Sequence, residues 1–362
     1  MTIDSPLPPN STIGILGGGQ LCRMLATAAA QLGFRTITLD PDPNAPAAQV
    51  CNDHIVADYT DADALDRLAQ QSDVTTYEFE NVPLQAAERI AGHTSLCPPA
   101  KALEVSQDRL SEKMFLRQAG LSVAPFHAIE TVDDLVAATA EFNGGVLKTR
   151  RFGYDGKGQH VFDGACDESA ADKVMQSIGS GPYVLEKRIR FEGEFSVVAA
   201  RTQVGEFRAF EPALNVHQNG ILRSSTVPSG LPTSLLEQAT AMTQNLMDEL
   251  NYVGVIGVEF FYAPGEDEVL LVNEFAPRVH NSGHWTEHAC FTSQFEQHIR
   301  AICGLPLGAP DHQFDCVMEN LLGDEASAIA PYLADPKCRV TLYGKTEARP
   351  GRKMGHMTRL AR

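Results

Sequence analysis

Val253 to Trp285 reads VGVIGVEFFYAPGEDEVLLVNEFAPRVHNSGHW. Its first ten residues, Val253 to Tyr262, form an apolar run with a single acid, Glu259. A six-residue polar turn, Ala263 to Glu268, leads into VLLVNEF, so the segment reads as a β-hairpin. A symmetric turn sets Glu259 opposite Val272 and diagonal to Glu274, and strand alternation puts both carboxylates on one face. Two anions on a half-buried face repel unless a cation lies between them, and hard oxygen ligands suit Mg²⁺. For the hairpin alone, the competing reading is a surface ribbon with two solvated acids. The continuation to Trp285 adds an arginine, two histidines, an amide and a hydroxyl beside the strand. A core needs none of that chemistry.

The chain around this hairpin has 362 residues, enough for two or three domains. Its net charge of −17 argues against a general nucleic-acid binder, which needs excess lysine and arginine. A small anionic ligand stays open, since a local basic pocket suffices. Eight cysteines from Cys22 to Cys338 form no CxxC pair and no zinc spacing, and read as reduced thiols of a cytoplasmic protein. No run approaches the ~20 apolar residues of a membrane span, and the start MTIDSPLPPNST is unlike a secretory signal. The expectation is a soluble cytoplasmic protein with no membrane partner.

Toward the N-terminus, strand and helix signals alternate. Thr12 to Leu16 reads as a buried strand, followed by Gly17-Gly18-Gly19 and an alanine-rich helix that stops at Gly33. Strands over Thr36 to Leu39 and Val74 to Phe79 and a helix over Val82 to Ile90 complete a βαβ order, which implies a parallel sheet. Ser106 is the expected N-cap of an amphipathic helix running to Ala119, with Gly120 as the stop. The glycine triplet also offers helix-start amides to a phosphate. With Asp40 downstream it half-matches a dinucleotide fingerprint, but Cys22 stands where the third glycine belongs.

KTRRFGYDGKGQH, Lys148 to His160, sets Gly153, Gly156 and Gly158 among Lys148, Arg150, Arg151 and Lys157. Glycines let backbone amides approach an anion and the cations neutralise it, although an exposed hairpin turn fits the same letters. It is not a Walker P-loop. Strands are expected at Val146 to Lys148 and Tyr183 to Glu186. The latter leads into a linker able to present backbone groups to an adenine edge, with Glu194 beyond it as a candidate ribose ligand; for each, a solvated strand-edge acid is the competing reading. His280, His284 and His288 recur at four-residue steps, but Pro277 and Gly283 interrupt any helix that would gather them on a metal.

Taken together, GILGGGQLCRML, TYEFENVP, QDRLSEKMFLRQAGLSVAPF, KTRRFGYDGKGQ, NVHQNGILR, GVIGVEFF, NEFAPRVHNSGHWTEHA and RPGRKMGHM resemble the ATP-grasp superfamily. Within it they look very like the ATP-dependent carboxylase family of purine biosynthesis, and the matches run from residue 14 to 357. The resemblance implies an α/β ATP-grasp fold. An N-terminal parallel βαβ (pre-ATP-grasp) domain would span 1–105. An ATP-grasp domain would span 106–303, with a mobile lid lobe at about 123–190, and a small C-terminal lobe 304–362. Relatives usually continue further past RPGRKMGHM.

Residue by residue, it implies ATP-phosphate contacts from Arg109, Lys148 and the loop Gly153, Tyr154, Asp155, Gly156, Lys157, Gly158 and Gln159. Adenine would meet Glu186, Lys187, Arg188 and Ile189, and the ribose Glu194. His217 and Asn273 complete the nucleotide site. Glu259 and Glu274 would hold Mg²⁺, without the asparagine many relatives carry where this chain has Ala276. Arg278, His280, Asn281 and Ser282 would hold bicarbonate. Gln20, Tyr154, Asp155, Lys345, Arg352 and Lys353 would contact aminoimidazole ribonucleotide, with Asp155 as base or orienter for its amine. The implied reaction is bicarbonate attack on the γ-phosphoryl of ATP, giving carboxyphosphate, which then carboxylates that amine. A homodimer and hand-off to a downstream mutase are further implications. The rivals are another ATP-grasp ligase, such as a formate-dependent glycinamide ribonucleotide transformylase or a biotin carboxylase-like subunit, a nicotinamide-dependent oxidoreductase on the N-terminal unit, and a non-catalytic ATP-binding regulator.

Overall fold

Three sheets organise the chain in the computed structural model, which describes residues 5–153, 158–179 and 181–361. The first is parallel, in the order Asp53–Val56, Arg35–Asp40, Thr12–Leu16, Val74–Tyr77. Its inner strand, TIGIL, is buried along nearly its whole length, as a strand covered on both faces must be. The helix Gln20–Gln31 turns Leu21, Met24, Leu25 and Ala28 inward at helical spacing, onto Phe295, Ile299 and Ile302 of the helix Gln294–Ile302. That contact docks the N-terminal unit on the middle of the chain.

The second sheet has nine strands. Its order is Leu270–Ala276, Gly254–Tyr262, Gly193–Arg201, Ala213–Gln218, Ile221–Val227, Cys316–Leu322, Lys353–Leu360, Cys338–Leu342, with Phe207–Ala209 added beside Gly193–Arg201. The middle strands are buried on both faces. Val198, Ala200 and Val255 face one core, while Val197, Ala199, Ile256 and Val258 face the other, under the helix Thr233–Glu249. The C-terminal strands join through Ser224–Val227, paired with Cys316–Glu319. They therefore extend the central sheet and do not form a separate one.

The third sheet is antiparallel, in the order Phe126–Ile129, Tyr183–Glu186, Gly145–Thr149, Gln159–Phe162. With the helices Val132–Phe142 and Glu168–Ile178 it closes its own small core of Ile129, Leu135, Leu147, Tyr183 and Leu185. A separate core is what lets such a lobe move as a unit.

One helix boundary differs from expectation. Ser106 ends a helix, Ala100–Ser106, and the next runs Arg109–Gln118. Its cap is Asp108, whose carboxylate accepts from the amides of Leu110 and Ser111 at 3.0 and 3.1 Å. Asp108 also takes the guanidinium of Arg150, with Nη2 at 2.8 Å, a pairing no serine can make. The strand Asp53–Val56 and the helices Ala62–Gln70 and Ala100–Ser106 were not anticipated; each is short and set in polar sequence. No helix among the described residues is long and apolar enough to cross a membrane, and all eight cysteines are free thiols.

Candidate active site

Strand pairing gathers the polar residues on one face of the central sheet. Glu259 pairs with Glu274 on one side and Ser196 on the other. Glu194, two residues before Ser196, pairs with Asn215, and His217 lies two residues further on. Alternation aligns all six. The hairpin register is not the symmetric one. Phe260 faces Val272, so Asn273 is the extra residue of a bulge, and Glu259 meets Glu274 directly instead of Val272. Directly paired side chains stand about 4.5–5.5 Å apart at Cβ, against about 7–8 Å for diagonal ones. The bulge makes a tight carboxylate pair.

The two acids are shifted in opposite directions. Burial and the facing Glu274 raise the pKa of Glu259. Burial alone would raise Glu274 too, but Arg109, with Nη1 2.8 Å from its Oε2, reverses this and holds it well below the usual carboxylate range. Beside Glu259, His217 Nδ1 and Glu194 Oε2 share a hydrogen bond of 2.6 Å.

The helix Arg109–Gln118 supplies Arg109, Glu112 and Lys113 from one face, at i, i+3 and i+4. Lys113 is buried and lies 3.1 Å from Glu186, whose other oxygen is 3.0 Å from Lys148 Nζ. Burial would raise Glu186, yet Lys113 and Lys148 bring it down to about 2. Glu112 accepts from the amide of Phe275, clamping the bulged strand to this helix. Glu186 thus turns its carboxylate to the lysines, leaving only backbone for an adenine edge. In the linker after it, Lys187 N donates to Pro125 O and Lys187 Nζ reaches Glu266 at 2.9 Å. Arg188 pairs with Asp163 at 2.8 Å, and Ile189 is buried.

The segment after the hairpin folds back over the same face. Gly257 has no side chain because any Cβ there would collide with His280. His280 stands 3.5 Å from Glu259 Oε1 and 2.8 Å, through Nδ1, from Ser282 Oγ. Burial, then Arg278 and Lys353, push its pKa down to about 3, so the ring is neutral at ordinary pH. Ser282 is fully buried and linked by Ser196 and Asn215 to Ser225. Asn281 exchanges two side-chain hydrogen bonds with Asn320, at 2.9 and 2.7 Å. The side chains of Asn281 and Ser282 are therefore occupied in orienting the loop. Arg278 pairs with Glu80.

One cleft is lined by Glu80, Arg109, Gly153, Glu259, Glu274, Arg278 and His280, among others. Tyr154, Asp155, Gly156 and Lys157 lie outside the described residues; Gly158 and Gln159 follow on the lid side. Lys353 acts electrostatically on Glu259, His217 and His280, which places it at the same site. Lys345 Nζ donates to Lys353 O, and its loop reaches the N-terminal unit where Gln49 Nε2 donates to Gly344 O. Arg352 donates to the carbonyl of Glu347. Gln20 opens the first helix and is half-buried.

The glycine turn does not offer open amides. Gly18 N donates to Asp40, and Gly19 N and Cys22 N donate to Glu78, which fills the phosphate position expected there. Glu78, Glu80, Glu112 and Lys113 were missed. The alternation in YEFE and the helical spacing from Arg109 carried the signal for all four.

A parallel N-terminal unit, a small antiparallel lobe and a cleft with paired acids ringed by cations define the ATP-grasp class of enzymes. The model of the ATP-grasp domain matches residues 114–295, that of the ribonucleotide synthetase preATP-grasp domain residues 10–107, and that of the phosphoribosylaminoimidazole carboxylase C-terminal domain residues 316–362. The chain belongs to the N5-carboxyaminoimidazole ribonucleotide synthase family, whose members are ATP-dependent ligases. It is 52% identical to the Brucella melitensis synthase, over 98% of this chain and 97% of that protein, and 42% identical to the Bacillus subtilis one, over 97% and 91%. A crystal structure of an ADP complex of such a synthetase superposes with a TM-score of 0.93 at 42% identity, covering 99% of this chain and 94% of that one. An Aspergillus clavatus synthase with ADP and 5-aminoimidazole ribonucleotide gives 0.89 at 28% identity, covering 97% and 94%.

Proposed function

We propose that this chain carboxylates 5-aminoimidazole ribonucleotide to N5-carboxyaminoimidazole ribonucleotide in purine biosynthesis, consuming ATP and bicarbonate and releasing ADP and phosphate. The observation that carries the reading is the directly opposed Glu259–Glu274 pair, with Arg109 on one flank and His280 on the other. Arg109, Lys148, the loop Gly153–Gln159, the linker Glu186–Ile189, Glu194, His217 and Asn273 hold ATP in this reading. The paired carboxylates fit Mg²⁺: they are hard oxygen donors, and the raised pKa of Glu259 marks negative charge in need of a cation. When bound there, Mg²⁺ offsets charge on the phosphate oxygens.

Arg278 and His280 position bicarbonate, with Asn281 and Ser282 fixing the loop that carries them. A bicarbonate oxygen bonds to the γ-phosphorus as the bond to the β,γ-bridging oxygen breaks, and ADP leaves. With its pKa pushed down to about 3, the ring of His280 stays neutral and orients bicarbonate by hydrogen bonding, and the bicarbonate proton stays on the carboxyl group. The exocyclic amine then attacks the carboxyl carbon of carboxyphosphate. Phosphate departs, and an amine proton passes to a base, for which Asp155 is our candidate. Positioning and charge neutralisation do most of the work in phosphoryl transfer. The lid lobe excludes water that would hydrolyse carboxyphosphate. Gln20, Tyr154, Lys345, Arg352 and Lys353 bind the ribonucleotide in this scheme. We also assign the chain to the cytoplasm as a homodimer that passes its product to a mutase.

The test is ADP release with each substrate omitted in turn. Release should need both bicarbonate and 5-aminoimidazole ribonucleotide. Release indifferent to the ribonucleotide would sink the assignment, and stimulation by formate with glycinamide ribonucleotide would favour the transformylase.

A further inference from the structure

Behind the cleft, the short helix Thr286–Ala289 meets the C-terminal strands, and three metal-ligating side chains converge there. Glu287 and His288 come from the helix and His356 from the strand Lys353–Leu360; their donor atoms lie within 4.8 Å of one another. Glu287 Oε2 is 3.8 Å from His288 Nε2 and 3.7 Å from His356 Nε2, too far for hydrogen bonds. Thr341 Oγ1 sits at the mouth, 3.2 Å from Glu287 Oε2 and 3.3 Å from His288 Nε2.

His356 supplies the independent sign of a missing ligand. The residue is fully buried, and its Nε2 points into this cluster with no hydrogen-bond partner. A buried polar atom left unpaired calls for an explanation. Its other nitrogen, Nδ1, lies 3.0 Å from the Tyr343 hydroxyl, which fixes the ring. Metal-binding histidines are usually held in this way, through the nitrogen that does not ligate.

We propose that Glu287, His288 and His356 bind a borderline divalent transition metal, zinc foremost, with water or the Thr341 hydroxyl in the fourth position. Two imidazoles and one carboxylate suit zinc, whereas the all-oxygen pair Glu259 and Glu274 suits magnesium. Tetrahedral zinc with bonds of about 2.0–2.2 Å sets donors roughly 3.3–3.6 Å apart, close to the 3.8 and 3.7 Å at which Glu287 Oε2 already stands from the two imidazole nitrogens. The bound ion would staple the helix following the Arg278–Ser282 loop to the strand that carries Lys353. His284 lies outside the three-residue cluster. Glu287 and His288 are partly exposed, which leaves the ion a way in.

The test is a Zn²⁺ titration of the full chain in excess Mg²⁺, by calorimetry, repeated with Co²⁺ for its visible spectrum. The wild type should bind one equivalent of Zn²⁺, gain a higher melting temperature and give the strong visible band of four-coordinate cobalt. Glu287→Gln and His288→Ala, both at partly exposed positions, should each weaken Zn²⁺ binding by at least roughly 10–100-fold and lose the cobalt band. Melting of the metal-free variants near the wild-type temperature would establish that they are folded. No Zn²⁺ uptake by the wild type, or unchanged affinity in either variant, would overturn the proposal.

Discussion

Two places in this molecule advertise anion or metal chemistry in their letters, the glycine turn Gly17–Gly19 and the hairpin acids Glu259 and Glu274, and they end differently. At the turn, the chain answers the amides of Gly18, Gly19 and Cys22 with Asp40 and Glu78. At the hairpin, it sets acid against acid, with Arg109 as the ion-pair partner of Glu274. The first arrangement is electrostatically closed and holds structure. The second leaves charge for a cation to meet. Motif chemistry becomes a site only where the fold leaves a group unsatisfied.

The largest effect should come from the hairpin. Glu274→Ala is expected to abolish turnover, at least about 10³-fold in kcat, with an intact fold by circular dichroism. A wild-type rate would remove the metal role from this pair. Next in size is the buried triad. Glu186→Gln leaves Lys113 and Lys148 without their counter-ion, so stability near pH 7 should fall by about 3–5 kcal/mol in urea titrations.

That triad also makes a pH prediction. The folded pKa of Glu186, about 2, lies below its ordinary value of 4.5. The carboxylate therefore adds stability that is fully present above about pH 5 and is lost as pH falls toward 2. The wild type's advantage over Glu186→Gln should shrink by about 3 kcal/mol across that window. A gap independent of pH would contradict the ion triad.

At the glycine turn, Glu78→Gln keeps one acceptor but swaps the other for a donor facing a backbone amide. A loss of about 1–3 kcal/mol of stability is expected, read as a lower urea midpoint. No change there would show that the turn does not depend on its internal carboxylate. Smallest is Ser282→Ala, which removes the hydroxyl bridging Ser196 and His280. It should cost up to about tenfold in kcat, with little change in KM for ATP.

Much of this could be read in advance. TIGIL followed by glycines and an alanine-rich helix marked the first βα unit to within two residues, since burial on both faces leaves a run without polar breaks. The one-face placement of Glu259 and Glu274 also held, because the pairing there is offset from the symmetric register by two residues, one of them the bulge, and an even offset keeps the face. Their direct opposition was not legible, since the bulge at Asn273 lies on a strand held by Glu112, 163 residues away from Phe275 in the chain. The same limit hid the partners of the cations. Arg109, Lys148 and Arg278 were recognisable as cations of a site, but Glu274, Glu186 and Glu80 meet them only through tertiary packing. The cap at Asp108 over Ser106 was a local choice decided by a distant arginine, Arg150.

The central claim is that the hairpin site activates bicarbonate by giving it the γ-phosphoryl group of ATP. Turnover with ¹⁸O-labelled bicarbonate, followed by ³¹P spectroscopy of the phosphate released, tests this most directly. One ¹⁸O from bicarbonate should appear in each phosphate formed together with carboxylated product. Phosphate carrying no bicarbonate oxygen would contradict the account.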